Sequence, residues 1–273
     1  MFDDLATARR IETAEVGLTR AVVEAAIASG DAPRAFLRQL GSALAAYIRP
    51  SSPMNKLLGA GLRPSITATE LEQVETLMRA CQERTRIELS TLAPRAVECW
   101  LLGRGYRLLG FENVLVRSLH RGSEPLEMNV QIEQVTRETL ALWTQTTIEA
   151  SAQSDQTGDV VDQFSRETIA TAVEDFVRAP GFDRYLARWK GVAVGAGSMR
   201  IQDRIALLSG SATLAPYRLR GVQTALIAAR IADARQRGAE LAVVTTAPDS
   251  RSEANLIKRG FSVAYAREIL ERD

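Results

Sequence analysis

The chain has 273 residues, 46% hydrophobic and 25% charged, enough for one large or two small folded units with well-buried cores. Its 34 Lys+Arg against 33 Asp+Glu leave a net charge of +1, without the cationic surplus needed to coat nucleic acid or an anionic membrane. No apolar run approaches the roughly 20 residues that span a bilayer, and the acidic opening Met1-Phe2-Asp3-Asp4-Leu5 is unlike a secretory leader, so a cytoplasmic chain with no membrane or nucleic-acid partner is expected.

In chain order, periodicity predicts a helix over about 5–29, strands within 35–48, a loop at 50–56, a helix over 68–83, a strand at 87–93 and a further helix. Arg104-Gly105-Tyr106 then leads into another strand. The polar stretch Leu119-His120-Arg121-Gly122-Ser123-Glu124-Pro125 reads as a linker, which sets expected units of 1–120 and 128–273 joined by 121–127. His120 is the sole histidine and falls in that stretch, so a histidine-based triad is not expected. Cys81 and Cys99 lie on predicted helices without metal-ligand spacing and read as reduced, packed thiols; no metal is expected. Beyond the linker come a strand at 129–136, a helix at 139–150 and a polar loop around 154–159. A helix at 165–178 follows, then strands at 185–189, 192–201 and 205–214, a helix at 223–237, a strand at 241–246 and a helix before Arg259-Gly260-Phe261.

The two halves repeat at a shift of 155 residues: Ile87 to Ala93 with Arg104-Gly105-Tyr106 overlies Ala242 to Pro248 with Arg259-Gly260-Phe261. They differ where the helix begins. The second half has Tyr217-Arg218-Leu219-Arg220-Gly221-Val222-Gln223-Thr224, whereas the first has Leu62-Arg63-Pro64-Ser65-Ile66-Thr67-Ala68. A strand, a loop and a glycine opening a helix leave backbone N–H groups unpaired where a phosphate can sit, with Arg218 and Arg220 as charge partners. One such site per chain is expected.

Arg218-Leu219-Arg220-Gly221-Val222-Gln223 resembles the Arg/Gln-x-x-Gly-x-Gly/Ala motif A of the GCN5-related N-acetyltransferase (GNAT) superfamily, and the likeness runs on to Phe261. The resemblance implies a mixed α/β fold of two tandem GNAT domains, the N-terminal one degenerate. It implies acetyl-CoA as co-substrate, with no metal, and direct attack by a primary amine of a small molecule or peptide in a ternary complex. By the same resemblance, the strand ending at Thr213 and Leu214 splays from its neighbour to admit pantetheine; Arg218, Leu219, Arg220, Gly221, Val222, Gln223 and Thr224 hold the pyrophosphate; and Asn255 contacts the cofactor. Gln223 stands where the family prefers a small residue, so its side chain must point away from the phosphates. The tyrosine often found in the last helix is missing, and Tyr265 is the nearest phenol to protonate the departing thiolate. An N–H near Leu214 is expected to polarise the thioester carbonyl, and Glu133, Glu167, Asp203 and Glu112 are bases by type alone. Arg230 and Arg237 are expected on a solvated face or near the 3′-phosphate, and Trp143 in the core or lining an acceptor pocket.

A catalytically silent acyl-CoA-binding sensor or scaffold is the alternative, and a monomer or homodimer is expected. Gly59-Ala60-Gly61 and Gly195-Ala196-Gly197 fail the dinucleotide fingerprint, because Pro64 and Arg200 stand at the third glycine. Whether Pro53 to Lys56 and Glu112-Asn113 reach across into the second half is open in the sequence.

Overall fold

The structure is a computed structural model describing residues 4–62, 66–120, 129–153 and 164–273. The expected linker at 121–127 and the polar loop at 154–159 lie outside these residues. The first half runs α1 (Asp4–Ser29), β1 (Phe36–Leu40), β2 (Ala43–Tyr47), β3 (Lys56–Ala60), α2 (Ala68–Ala80), β4 (Thr85–Ser90), α3 (Arg95–Gly103) and β5 (Arg107–Ser118). The second runs β6 (Val130–Gln134), α4 (Leu140–Ala152), α5 (Arg166–Arg178), β7 (Phe182–Trp189), β8 (Val192–Gln202), β9 (Ile205–Thr213), α6 (Val222–Gln236), β10 (Leu241–Thr246), α7 (Arg251–Lys258) and β11 (Ser262–Arg272). The expected elements are present, with the strands at 35–48 resolved into a hairpin and β3 added after the loop.

All strands join one 11-stranded sheet in the order β1-β2-β3-β4-β11-β5-β10-β9-β8-β7-β6. Among the described residues, only β3–β4 and β9–β10 pair in parallel. The halves are tied by reciprocal exchange: β11 pairs with β4 through Arg267↔Ser90 to Arg272↔Thr85, and β5 pairs with β10 through Leu241↔Ser118 to Thr246↔Asn113. Each half thus lends its last strand to the other, and β5 pairs with β11 at the seam.

On one face α1 crosses this seam. Its Ile11, Ala14, Leu18 and Val22, spaced by three and four residues, bury against Val114, Val116, Ile205, Leu207 and Val243. Each large side chain so buried contributes roughly 1.5–3 kcal/mol, which makes α1 a brace for both halves. On the opposite face, Val222, Leu226, Ile227 and Ile231 of α6 pack on Val194, Met199, Ala206, Leu208 and Ala242.

A buried ionic cluster pins the exchanged strand beneath α1. Arg267 on β11 donates to Glu12 Oε1 at 2.9 Å and to Glu112 Oε2 at 3.3 Å, and lies 3.8 Å from Glu88, which Lys56 Nζ meets at 2.7 Å. Five elements carrying opposite charges therefore meet where the halves join, and removing one charge strands its partner away from water.

Candidate active site

β9 and β10 pair only from Leu241↔Ile205 to Val243↔Leu207, while β9 continues to Thr213 and β10 to Thr246. Past Leu207 the facing edges of the two strands are unpaired with each other, opening the expected slot. The register slip between Ala196↔Ala212 and Ser198↔Ser209 places a bulge at Gly210, whose φ is +60°. A cleft of about 760 Å³ occupies the splay.

Thr213, Arg218, Leu219, Gly221, Val222, Gln223, Thr224 and Asn255 line this cleft. Gly221 caps α6 at φ +79° with no side-chain cap, so the first N–H groups of the helix point outward unsatisfied by the helix itself. Leu219 also has positive φ, at +60°, and is 89% exposed, so strain there is offset by no burial. By contrast, α2 in the first half begins with a closed capping box: Thr67 Oγ1 accepts from the Glu70 N–H, and Glu70 Oε2 accepts from the Thr67 N–H at 2.9 Å. A carboxylate of the chain itself fills that helix start. A Cβ at Gly61 would sit 2.5 Å from Ala93 Cβ and 2.8 Å from Leu89 Cδ1, so the end of β3 is closed on β4.

The basic residues divide the work. Arg218 Nε donates to the Thr213 carbonyl at 3.2 Å and Nη2 to the Gln153 carbonyl, clamping the loop to β9 and α4. Arg220 is exposed, stacks over Trp189 and Tyr217 at 5.7 and 6.0 Å, and is absent from the cleft lining. Leu214 is likewise absent, and its N–H donates to the Val194 carbonyl at 2.9 Å, so it is not the expected carbonyl donor. Gln223 turns toward α7, where its Nε2 donates to Ser252 Oγ at 3.3 Å and its Oε1 accepts from Asn255 Nδ2 at 2.9 Å. Arg259 donates to Thr224 Oγ1 at 3.1 Å, and with Arg251 and Lys258 makes the α7 wall cationic.

Tyr265 does not reach the cleft. It is buried under α1 and donates to Glu12 Oε1 at 2.6 Å, and burial pushes its hydroxyl pKa up, so its position is that of a packed anchor rather than a thiolate acid. Arg230 is also not on a solvated face: at 1% exposure it lies under Gly197 and donates to the Leu226 and Ser198 carbonyls at 3.0 Å each and to Ser211 Oγ at 2.6 Å. Burial lowers its pKa to about 10, still above neutrality. Ser211 lines the cleft at the bulge. Because the guanidinium occupies one of its lone pairs, its hydroxyl hydrogen is available to the cleft. Gly197, whose missing Cβ admits the guanidinium, is the sequence signal for this arrangement.

Of the carboxylates named by type, only Glu112 lines the cleft. It comes from β5, the strand lent by the first half. Burial, then the charge of Glu88, raises its pKa against the opposing pull of Arg267 and Lys56. The neighbouring Asn113 donates to Glu253 Oε1 at 2.6 Å and so steadies the start of α7. Glu133 is paired with Arg188, and neither Glu167 nor Asp203 lines the cleft. His120 is exposed, Cys81 buried and Cys99 exposed; among the described residues no His/Cys/Asp/Glu group could hold a metal, and no helix is long and apolar enough to cross a membrane.

Splayed parallel strands, a bulge at the slot and an uncapped helix N-terminus, set beside a second half of the same order, define a tandem GNAT fold. Residues 146–261 match the model of the Acetyltransferase (GNAT) family. Among solved structures, the chain is similar to a GCN5-related N-acetyltransferase from Kribbella flavida, at TM-score 0.68 and 16% identity over 97% of this chain and 95% of that one. A GCN5-related N-acetyltransferase from Sphaerobacter thermophilus superposes at TM-score 0.59 and 14% identity, covering 85% of this chain and 76% of that one. A tandem GNAT protein from the clavulanic acid biosynthesis pathway gives 0.58 and 13%, covering 88% and 83%. At these identities the likeness establishes the fold. No curated protein matches the chain.

Proposed function

We propose that the protein is an N-acetyltransferase that moves the acetyl group of acetyl-CoA to a primary amine, with its one cofactor site in the second half, residues 128–273. The observation that carries this reading is the slot between β9 and β10 with the open start of α6 at its mouth. The N–H groups at Gly221 to Thr224 and the cationic wall of α7 suit a pyrophosphate, and the free edge of β9 suits the amides of pantetheine. The first half, residues 1–120, serves the site through Glu112 and Asn113 and binds no cofactor, because Glu70 fills the corresponding helix start.

In this reading Ser211 Oγ–H donates to the thioester oxygen as negative charge develops there, and Arg230 fixes the hydroxyl. Glu112 takes the proton of the attacking amine. Its raised pKa brings a carboxylate closer to neutrality, where a base works best. The thiolate, on leaving, takes a proton from solvent or takes back the one that Glu112 has received from the nitrogen.

Calorimetric titration with acetyl-CoA, with NAD as control, tests the cofactor, and acetyl transfer by Glu112→Gln tests the base. One saturable site for acetyl-CoA and a loss of about 100-fold or more in kcat at unchanged acetyl-CoA affinity are expected. Binding with no turnover on any amine would favour a silent acyl-CoA-binding module; no binding would refute the reading.

A further inference from the structure

A second chamber of about 200 Å³ lies between α4, α5 and the β8–β9 face, on the side of the sheet that α1 covers. Trp143 and Thr147 of α4 line it at four-residue spacing, and Ile169, Ala172, Val173 and Phe176 of α5 form one helical stripe on its other side. Pro53 of the first half contributes to the wall, and its loop is held near α5 by Arg49, which donates to the buried Asp175 at 2.8 Å.

The chamber adjoins the cleft. Ser151 belongs to both linings, and Gly210 of the chamber is followed directly by Ser211 of the cleft. Among the described residues no charged side chain lines it. Three of its polar groups are used within the fold: Trp143 Nε1 donates to the Gly197 carbonyl at 3.3 Å, Thr147 Oγ1 to the Trp143 carbonyl at 2.8 Å, and Ser198 Oγ to the Ser209 carbonyl at 3.1 Å. Such a space repels ions and holds little water. An apolar cavity of roughly 150 Å³ accepts benzene, so this one has room for one aromatic ring or a branched alkyl group.

We propose that this chamber receives the apolar group of the acceptor, and that the acceptor is a primary amine carrying one aryl or branched-alkyl group on a short tether. The inference rests on the acetyltransferase reading and specifies its substrate. Charge selects the amine over an elongated acyl chain as the guest. Glu112 is the sole carboxylate among the described cleft residues, and a guest whose tail fills the chamber leaves its amine in the cleft that this carboxylate shares with Ser211. An acyl chain offers nothing to that charge. The α6–α7 side, where the anion-binding loop lies, stays free for the cofactor.

The test uses the whole protein and Ala172→Phe, with Ala172→Leu as a milder filling in case the larger side chain disturbs folding, and thermal melts on both. Acetyl transfer is measured on 2-phenylethylamine, isoamylamine and ethanolamine, with hexanoyl-CoA compared against acetyl-CoA. 2-Phenylethylamine is also titrated directly in the presence of CoA. The expected result is a kcat/KM for 2-phenylethylamine about 100-fold above ethanolamine, as the burial of one ring implies. Filling the chamber should lower it at least 10-fold and leave ethanolamine and the affinity for acetyl-CoA within twofold. Equal use of ethanolamine, or absence of 2-phenylethylamine binding to the unaltered protein, overturns the proposal. So does a preference for hexanoyl-CoA that Ala172→Phe abolishes, which would give the chamber to the acyl chain. Failure of acetyl-CoA to bind, with 2-phenylethylamine still bound and displaced by the filling, would refute the acetyltransferase reading and leave the chamber's chemistry standing.

Discussion

Replacing Gly221 by glutamate puts a side chain and a negative charge at the open start of α6, where the proposed function places the pyrophosphate. At φ +79° a side chain costs about 1–2 kcal/mol relative to glycine. A carboxylate near the first N–H groups of a helix returns about 0.3–1 kcal/mol, so the net loss of folding stability is about 1 kcal/mol and the melting temperature falls by roughly 2–4 °C. The effect on ligand is larger. A unit charge held about 4 Å from a phosphate oxygen repels it by about 4 kcal/mol at an effective dielectric of 20, near a thousandfold in affinity. Titration of Gly221→Glu with acetyl-CoA should therefore show no saturable heat, while its circular dichroism melt stays close to that of the parent. Gly221→Ala carries the backbone strain without the charge and should lose far less affinity. If the glutamate variant binds within threefold of the parent, the anion does not sit at this helix start and the assignment of the loop is wrong.

Tyr265→Phe should cost about 1–2 kcal/mol in stability, because Glu12 keeps only Arg267 as partner, and should leave turnover within twofold; a tenfold loss of rate at full stability would return Tyr265 to the chemistry. Glu15 has its pKa raised from 4.5 to about 7, chiefly by burial, so the folded state holds a proton that the unfolded state has already released in that window. Stability should therefore fall as pH rises from 4.5 to 7, and Glu15→Gln should escape this, matching the parent at pH 4 and exceeding it by about 3 kcal/mol at pH 8; melts at both values check it, and parallel curves would refute it. Ser211→Ala should lower kcat by about 100-fold with unchanged acetyl-CoA affinity, as steady-state rates would show. Residues 1–124 and 125–273, expressed as two chains, should co-purify as a one-to-one complex and aggregate when made separately, because each lacks its partner's last strand.

The shape of the loop before α6 is legible because its requirements are local: a glycine where φ turns positive, a strand before it and an apolar stripe after it, all within Leu207 to Ile231. Gln223 was readable for the same reason, since any residue so close to the helix start must send a long side chain sideways, and it goes to α7. Arg230 was misread by giving a charged residue to solvent by default, although it lies four residues after the buried Leu226; only Gly197, on another strand, reveals the space that admits it. Tyr265 depends on Glu12, 253 residues away, and no local pattern brings the two together. The exchange of β5 and β11 was illegible in principle. In a repeated sequence the same strand meets nearly the same edge in either half, so the alternation of side chains does not distinguish self-pairing from pairing with the other copy.

That exchange governs the order in which the molecule becomes whole. β4 and β5 leave the ribosome well before β11, which must then enter between them, with Glu271 meeting Arg84 and Arg86 across 187 and 185 residues. Until then two strand edges in the middle of the future sheet stand open, the condition under which chains pair with strangers. Synthesis therefore produces a half-sheet in waiting, and the last strand acts as its closing key. A prematurely stopped chain leaves β4 and β5 without the strand that lies between them, and Glu112 gains its Arg267 partner only when β11 arrives.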